Sequence, residues 1–253
     1  MRGLNGKVVV VAGGAGGIGT ACSVRLAEEG ATVVVGDVNR DAADAVAAQI
    51  TATGGSAVSS HLDIADESSV AALIAFAVKE FGRIDGLHAN AADLSIIMED
   101  TDAVSIDLDV FDRTIAVNLR GHLLCTRHAV PELLKTGGGA LAYTSSAASV
   151  IGEPQRPSYA AAKAGINALV RHVASRWGKE GIRANAVAPG LVLTPTVQAG
   201  LPDEFRAQAI AATRSPRLGA PDDVAAMIAL LLSDDGEWIN GQVISVDGGA
   251  TLR

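Results

Sequence analysis

The sequence predicts an α/β fold: one doubly wound domain with a mostly or wholly parallel sheet and helices on both faces. Three observations carry that expectation. Short β-branched runs alternate with longer helical patterns along the whole chain, hairpin signals are few, and the first strand-like run, Lys7–Ala12, is nearly all valine. Strand–helix alternation without hairpins implies right-handed crossovers between parallel strands. A valine run without polar alternation fits a strand covered on both faces.

The elements follow in order. Lys7–Ala12 leads through a glycine-rich turn into a helix over Gly17–Glu29 that stops at Gly30. Ala31–Gly36 is a second strand, and Arg40–Thr51 an alanine-rich helix. Ala57–His61 is a third strand, followed by a helix that runs to Glu80 with Asp66 as its N-cap candidate. Asp85–Ala89 is a fourth strand, and the acidic stretch Asp93–Asp109 precedes one long helix from about Val110 to Leu134. Gly139–Thr144, Ile182–Ala188 and Val243–Val246 complete the strands, with a helix over Ser158–Lys179. No repeat or low-complexity linker divides residues 1–253, so a single domain is expected. The long irregular segment is Gly190–Pro221, and in a tight domain such a stretch is usually functional.

Composition removes several classes of function. A formal net charge of −8, with no run of five like charges, offers no grip on a phosphate backbone, so no nucleic-acid partner is expected. Cys22 and Cys125 are the only cysteines and sit in apolar, helix-like stretches; they read as buried hydrophobes, with neither a disulfide framework nor a metal site. The longest apolar runs, Val8–Ala12 and Met227–Leu232, fall far short of the about 20 residues of a membrane span, and no signal-peptide pattern is present. The cytoplasm is the expected compartment.

The turn after the first strand reads Gly13-Gly14-Ala15-Gly16-Gly17-Ile18-Gly19. Glycines let a backbone approach a pyrophosphate, and the following helix N-terminus offers free N–H groups and the positive end of its dipole. With a strand before and a helix after, the turn fits the pattern expected of a Rossmann-type dinucleotide site, although Gly14, Gly16, Gly19 and Gly13, Gly17, Gly19 are alternative registers. No Lys-Ser/Thr pair follows, so an ATP-type P-loop is not supported. Asp37 ends the second strand 18 residues beyond Gly19. A carboxylate there can accept from both adenosine ribose hydroxyls and would repel a 2′-phosphate, which favours NAD over NADP.

Tyr159 and Lys163 are spaced i, i+4 at the start of a helix and so share a face. An ammonium beside a phenol favours the phenolate and makes the tyrosine usable as an acid/base near neutral pH. Ser145 and Ser146 close a strand, Ser146 lying 13 residues before Tyr159. Hydroxyls at the carboxyl end of a parallel strand face the ligand site. Asn118 interrupts an apolar helical pattern, and a buried amide needs partners.

In this combination and order the chain resembles the short-chain dehydrogenase/reductase family, in its single-domain form, from Lys7 to Gly249. The matching pieces are Gly13-xxx-Gly17-x-Gly19, Leu62-Asp63-Ile64, Ala89-Asn90-Ala91, Asn118, Ser146, Tyr159-xxx-Lys163 and Pro189-Gly190-Leu191-Val192-Leu193-Thr194. The resemblance implies NAD(P)-dependent oxidoreduction at an alcohol or ketone carbon. It makes Tyr159 the acid/base and Ser146 a hydrogen-bond partner of the substrate oxygen. Lys163 would hold the nicotinamide ribose and depress the Tyr159 pKa, while Asn118 would anchor a proton-relay water. The turn residues Gly13, Gly17, Ile18 and Gly19 would cradle the pyrophosphate. Asp63 and Ile64 would contact adenine, Asn90-Ala91 would run along the adenosine, and Val192 and Thr194, after Pro189, would fix the carboxamide. Two departures are visible. Ala12 stands where the family has Thr, losing a hydroxyl bond to the Asn90 loop, and Ala92 replaces a Gly, which forbids easy positive φ there.

Other readings stay open at this point. One is an NADPH-dependent 3-oxoacyl-carrier-protein reductase, for which Arg40 could pair a 2′-phosphate. Another is a catalytically silent dinucleotide-binding regulator, against which Asn118, Ser146, Tyr159 and Lys163 count together. The substrate is expected to be a small, fairly apolar alcohol or ketone, contacted by Asp93–Met98, Ala148–Pro157 and Leu191–Ser215. Leu191–Ser215 is expected to form a mobile lid. The C-terminal run Ile239–Gly249 and the apolar helix Val224–Leu232 suggest a homotetramer.

Overall fold

Val8–Ala12 forms β1, an interior strand, third across a seven-stranded sheet, in a computed structural model that describes residues 1–252. All five β1 residues are buried, and they face alternate sides. Val8 and Val10 join a core with Leu73, Leu133 and Ile166, whereas Val9 and Val11 join a second core with Leu26, Ile228 and Leu231. Period-two alternation explains why a strand between two helical layers needs an apolar side chain at every position. Each such side chain contributes about 1.5–3 kcal/mol relative to exposure.

The chain continues as α1 (Gly17–Glu28), β2 (Thr32–Asp37), α2 (Arg40–Ala52), β3 (Ser56–His61), α3 (Glu67–Phe81), β4 (Gly86–Ala89), α4 (Leu108–Ile115) and α5 (Gly121–Lys135). It ends with β5 (Gly139–Thr144), α6 (Pro157–Trp177), β6 (Ile182–Pro189), α7 (Pro195–Gly200), α8 (Asp203–Ala212), α9 (Pro221–Leu232) and β7 (Val243–Val246). The strand order is β3-β2-β1-β4-β5-β6-β7, every pairing parallel. Strand order reverses between β1 and β4, and the crevice beyond their carboxyl ends is where such sheets bind ligands. Asp66 caps α3 as expected, accepting from the Ser68 N–H at 2.9 Å.

One helix differs from expectation. Val110–Leu134 reads as continuous, but a turn of π-helix over Ala116–Arg120 separates α4 from α5. A π turn admits one extra residue and takes a carbonyl off the regular ladder, and such turns favour functional sites. Gly121 follows because a Cβ there would meet Ile64 at 2.8 Å. The irregular segment after β6 is also partly ordered, since α7 and α8 lie within it. Neither has a buried residue, and Phe205 on α8 is 54% exposed. At its base, Val192 bridges to Gly219 in parallel register.

Among the described residues, no helix is long and apolar enough to cross a membrane, and no group of three or more His, Cys, Asp or Glu is placed to hold a metal ion. Both cysteines are buried and unpaired, and burial pushes the Cys125 thiol up to about 12.

Candidate active site

The glycine turn is held by the strands beside it. Gly13 and Gly14 donate their N–H groups to the Gly36 carbonyl at 2.8 and 3.0 Å. Gly13 has φ +82°, and a Cβ there would lie 2.5 Å from the Ala91 backbone. At Gly19 a Cβ would lie 2.0 Å from the Gly13 carbonyl oxygen, and at Gly17 it would lie 2.6 Å from Thr194. At Gly16 it would meet nothing within 4 Å. Gly13, Gly17 and Gly19 therefore have no room for a side chain, nor does Gly14, whose Cβ would lie 2.8 Å from Val35, so only Gly16 of the alternative register is unconstrained. Gly16, the N-cap of α1, carries no side-chain cap, and the first turn has no acidic residue. Its N–H groups stay free for an anion. A dinucleotide pyrophosphate fits this cradle.

Asp37 stands at one end of the cleft. Its Oδ2 accepts from Ala15 N–H and its Oδ1 from Asn39 N–H, both at 3.0 Å. These bonds fix the carboxylate and leave lone pairs directed outward. Arg40 is engaged with Asp44 at 2.8 Å. The cleft itself, about 860 Å³, runs from Asp37, Asp63 and Ile64 past Gly13, Gly17, Ile18, Asn90 and Ala91 to Tyr159, Lys163 and Thr194.

Neither sequence departure disturbs this geometry. Asn90 Nδ2 donates to the Gly13 carbonyl at 2.8 Å, while Asn90 and Ala91 N–H groups donate to the Ala12 carbonyl. Backbone and amide thus make the link that a hydroxyl at position 12 would supply. Asn90 Oδ1 accepts from Thr144 Oγ1 at 2.8 Å, and Thr144 Oγ1 lies 2.9 Å from His88 Nε2. Ala92 causes no strain, since Arg156 is the only described non-glycine residue with positive φ.

At the far end, Lys163 is 1% exposed, and its Nζ donates to the Thr144 carbonyl at 2.8 Å. The same Nζ lies 5.7 Å from the Tyr159 ring centroid. Ser146 follows β5 and accepts from Ala148 N–H at 3.2 Å. The expected depression of the Tyr159 pKa is not found. Burial raises the phenol above its ordinary value, opposed by a hydrogen bond from Ser146 and the charge of Arg156 and assisted by Glu153. Burial also brings the Lys163 amine down to about 7. Desolvation favours the neutral form of both groups.

Asn118 is fully buried within the π turn. Its Oδ1 accepts from Asp93 N–H at 2.8 Å, so its amide holds the loop after Asn90. Two other expected residues stand behind the cleft. Pro189 is buried at the end of β6, and Val192 is 7% exposed and bridged to Gly219. Thr194 reaches the cleft and caps α7 through Val197 N–H at 3.3 Å. The sequence did not single out Thr144 or Arg113, and Asp93 entered only as the start of the expected substrate-contact segment Asp93–Met98. Arg113 and Asp93 line the cleft and pair at 2.6 Å. Only the position of Asp93, directly after Asn90-Ala91-Ala92, could have signalled it.

The sheet, the glycine cradle and the Ser–Tyr–Lys cluster define an oxidoreductase of the nicotinamide-dinucleotide class. A family model described as enoyl-(acyl carrier protein) reductase matches residues 13–251. The chain belongs to the short-chain dehydrogenase/reductase family, whose members act on CH–OH groups. It is 44% identical to a probable short-chain type dehydrogenase/reductase of Bradyrhizobium diazoefficiens, over 96% of this chain and 87% of that protein. It is 42% identical to cis-4-hydroxycyclohexanecarboxylate dehydrogenase of Sinomonas cyclohexanicum, over 97% of this chain and 96% of that one. A solved structure of 7α-hydroxysteroid dehydrogenase, complexed with NADH and 7-oxo glycochenodeoxycholic acid, superposes with a TM-score of 0.92 at 32% identity. That match covers 99% of this chain and 97% of the other.

Proposed function

We propose that this protein interconverts an apolar cyclic secondary alcohol and its ketone, using NAD(H) in preference to NADP(H). The observation that carries the reading is a cleft lined by Asp37, Tyr159 and Lys163, with Ser146 within hydrogen-bond reach of the Tyr159 phenol. The nicotinamide supplies the carbon that accepts or gives the hydride. Tyr159 takes the substrate hydroxyl proton in oxidation and returns it in reduction, while Ser146 holds the substrate oxygen. Lys163 binds the ribose hydroxyls and, when charged, stabilises the phenolate. Asn118, in the π turn, would anchor a water through which the proton leaves. Pro189 and Val192 act from behind, shaping the Thr194 loop against the carboxamide.

The substrate class rests on exposed apolar side chains in the segments beyond the strand ends: Leu94, which lines the cleft, Ile151 after β5 and Leu191 after β6, all at least 36% exposed. It also rests on the ring alcohol and steroid ketone named for the relatives. The carrier-protein reductase reading gains little, because a net charge of −8 does not favour an acidic carrier. A panel of cyclohexanols, linear secondary alcohols, polyols and hydroxysteroids, followed by NADH absorbance, tests this. Cyclic alcohols should give the highest kcat/KM, and a preference for polyols would contradict the reading.

Cofactor choice has its own test. Asp37→Ala should narrow the NAD-over-NADP ratio of kcat/KM by about tenfold or more, equivalent to roughly 1.4 kcal/mol. A wild type that already prefers NADP would overturn the role of Asp37.

The same reading makes 191–215 a lid on a single-domain enzyme, supported by the unburied α7 and α8 on their Val192–Gly219 base. Such segments belong to the low-stability end of a structure. Amide exchange over α7 and α8 should slow when NAD and substrate are both present; equal exchange with and without them would contradict a lid. Assembly as a homotetramer is part of the reading, supported by the unpaired outer edge of β7 and by Trp238, 98% exposed. Light scattering checks it.

A further inference from the structure

The helix that carries Tyr159 has no cap of its own. Arg156, at the N-cap position of α6, contributes no side-chain hydrogen bond and lies in the left-handed region at φ 66°. The first-turn amides are taken instead by a distant carboxylate. Tyr159 N–H donates to Asp100 Oδ2 at 2.9 Å, and Ser158 N–H to Asp100 Oδ1 at 3.3 Å. Arg156 N–H donates to the carbonyls of Asp100 and Thr101, both at 2.9 Å.

Asp100 is 2% exposed. The neighbouring acids behave differently, since Asp102 and Asp107 bind amides of their own loop. The loop that carries Asp100 starts at Asp93, which Asn118 holds by its N–H and Arg113 by its carboxylate. One loop therefore connects the π turn to the first turn of α6. A carboxylate at a helix N-terminus gains from both the dipole and charge-assisted hydrogen bonds.

We propose that Asp100 is a positioning residue that seats Tyr159 against Ser146 and Lys163. The assignment rests on the reading of Tyr159 as the acid/base. It differs from a purely structural cap in where its bonds fall, on the Tyr159 amide and its immediate neighbour. A misplacement of about 1 Å at a reacting group can cost on the order of 100-fold in rate.

The chain has two tyrosines, and Tyr143 is fully buried, its phenol pushed far up by burial. Phenolate absorbance during an alkaline titration therefore reports Tyr159, with Tyr159→Phe as the control. The groups that shift this phenol are Ser146, Arg156 and Glu153, and Lys163 Nζ lies 5.7 Å from its ring centroid. Asp100→Ala removes both acceptors, and Asp100→Asn keeps one.

In Asp100→Ala the Tyr159 transition should fall toward the ordinary value of about 10 as the first turn opens to water. Turnover of an oxidisable cyclic alcohol should drop roughly 10- to 100-fold in kcat. Asp100→Asn should lie between, and NADH affinity should stay within about threefold, under 1 kcal/mol. An unmoved titration and wild-type kcat in a folded Asp100→Ala would overturn the proposal. If that variant does not fold, the same two results in Asp100→Asn would overturn it. A wild type without turnover would remove the proposed function, and the titration alone would then decide the position of Asp100: a shift supports it, and no shift removes it.

Discussion

Tyr159→Phe is expected to lose at least 100-fold in kcat while binding NADH as tightly as the wild type. Removing the hydroxyl leaves the ring, the cleft and the Lys163–Thr144 bond in place, so only proton transfer is deleted. General acid/base groups contribute about 10²–10⁴-fold, which sets the smallest acceptable loss. The wild-type pH profile should carry the same signature. Burial raises the phenol and favours its protonated form. Alcohol oxidation, which needs the phenolate, should therefore accelerate as pH rises, whereas ketone reduction should not. A Phe variant with near-normal turnover would remove Tyr159 from the chemistry.

Gly19→Ala should have the second large effect, on cofactor binding. A methyl there would stand 2.0 Å from the Gly13 carbonyl oxygen and 2.9 Å from the Gly14 Cα. The obstacle is backbone, which no rotamer change can relieve. The turn must therefore move, and with it the hydrogen bonds of Gly13 and Gly14 to Gly36. Overpacking of this kind costs about 1–3 kcal/mol in stability. NADH affinity should fall by roughly 100-fold or more, about 2.7 kcal/mol, as the pyrophosphate cradle opens. Gly16→Ala is the matched control for fold, because its added methyl meets nothing within 4 Å. Equal NADH binding by Gly19→Ala and wild type, measured by fluorescence, would show that the turn does not cradle the cofactor.

Much of this protein is readable from its residues because the determining forces are local. The valines of β1 reveal a strand covered on both faces, and Asp66 announces a helix start through its own neighbour's amide. The glycine turn is legible because backbone crowding can be met by one residue type only. Spacing alone could not choose its register, since the contacts that separate the two, Gly13 against Ala91 and Gly17 against Thr194 with open space at Gly16, involve residues far away in the sequence.

What stayed hidden depends on distance or on balance. Within Ala116–Arg120 Asn118 breaks the apolar helical pattern, and a single buried amide does not by itself mark a π turn. Asp100 is one acid among several in its loop, and only the fold brings it to the Tyr159 amide, 59 residues away. The Lys163–Tyr159 pair was legible as a neighbourhood, but its electrostatics were not. Helical spacing predicts attraction, whereas burial, which spacing does not reveal, drives both groups toward neutrality.

The central claim is hydride transfer between a carbinol carbon and the nicotinamide ring. Cyclohexanol deuterated at its carbinol carbon, incubated with the protein and NAD, tests it directly by mass spectrometry of the recovered cofactor. The account predicts reduced cofactor carrying one deuterium, cyclohexanone as the co-product, and neither in Tyr159→Phe. Ketone formed without deuterium in the cofactor would contradict it.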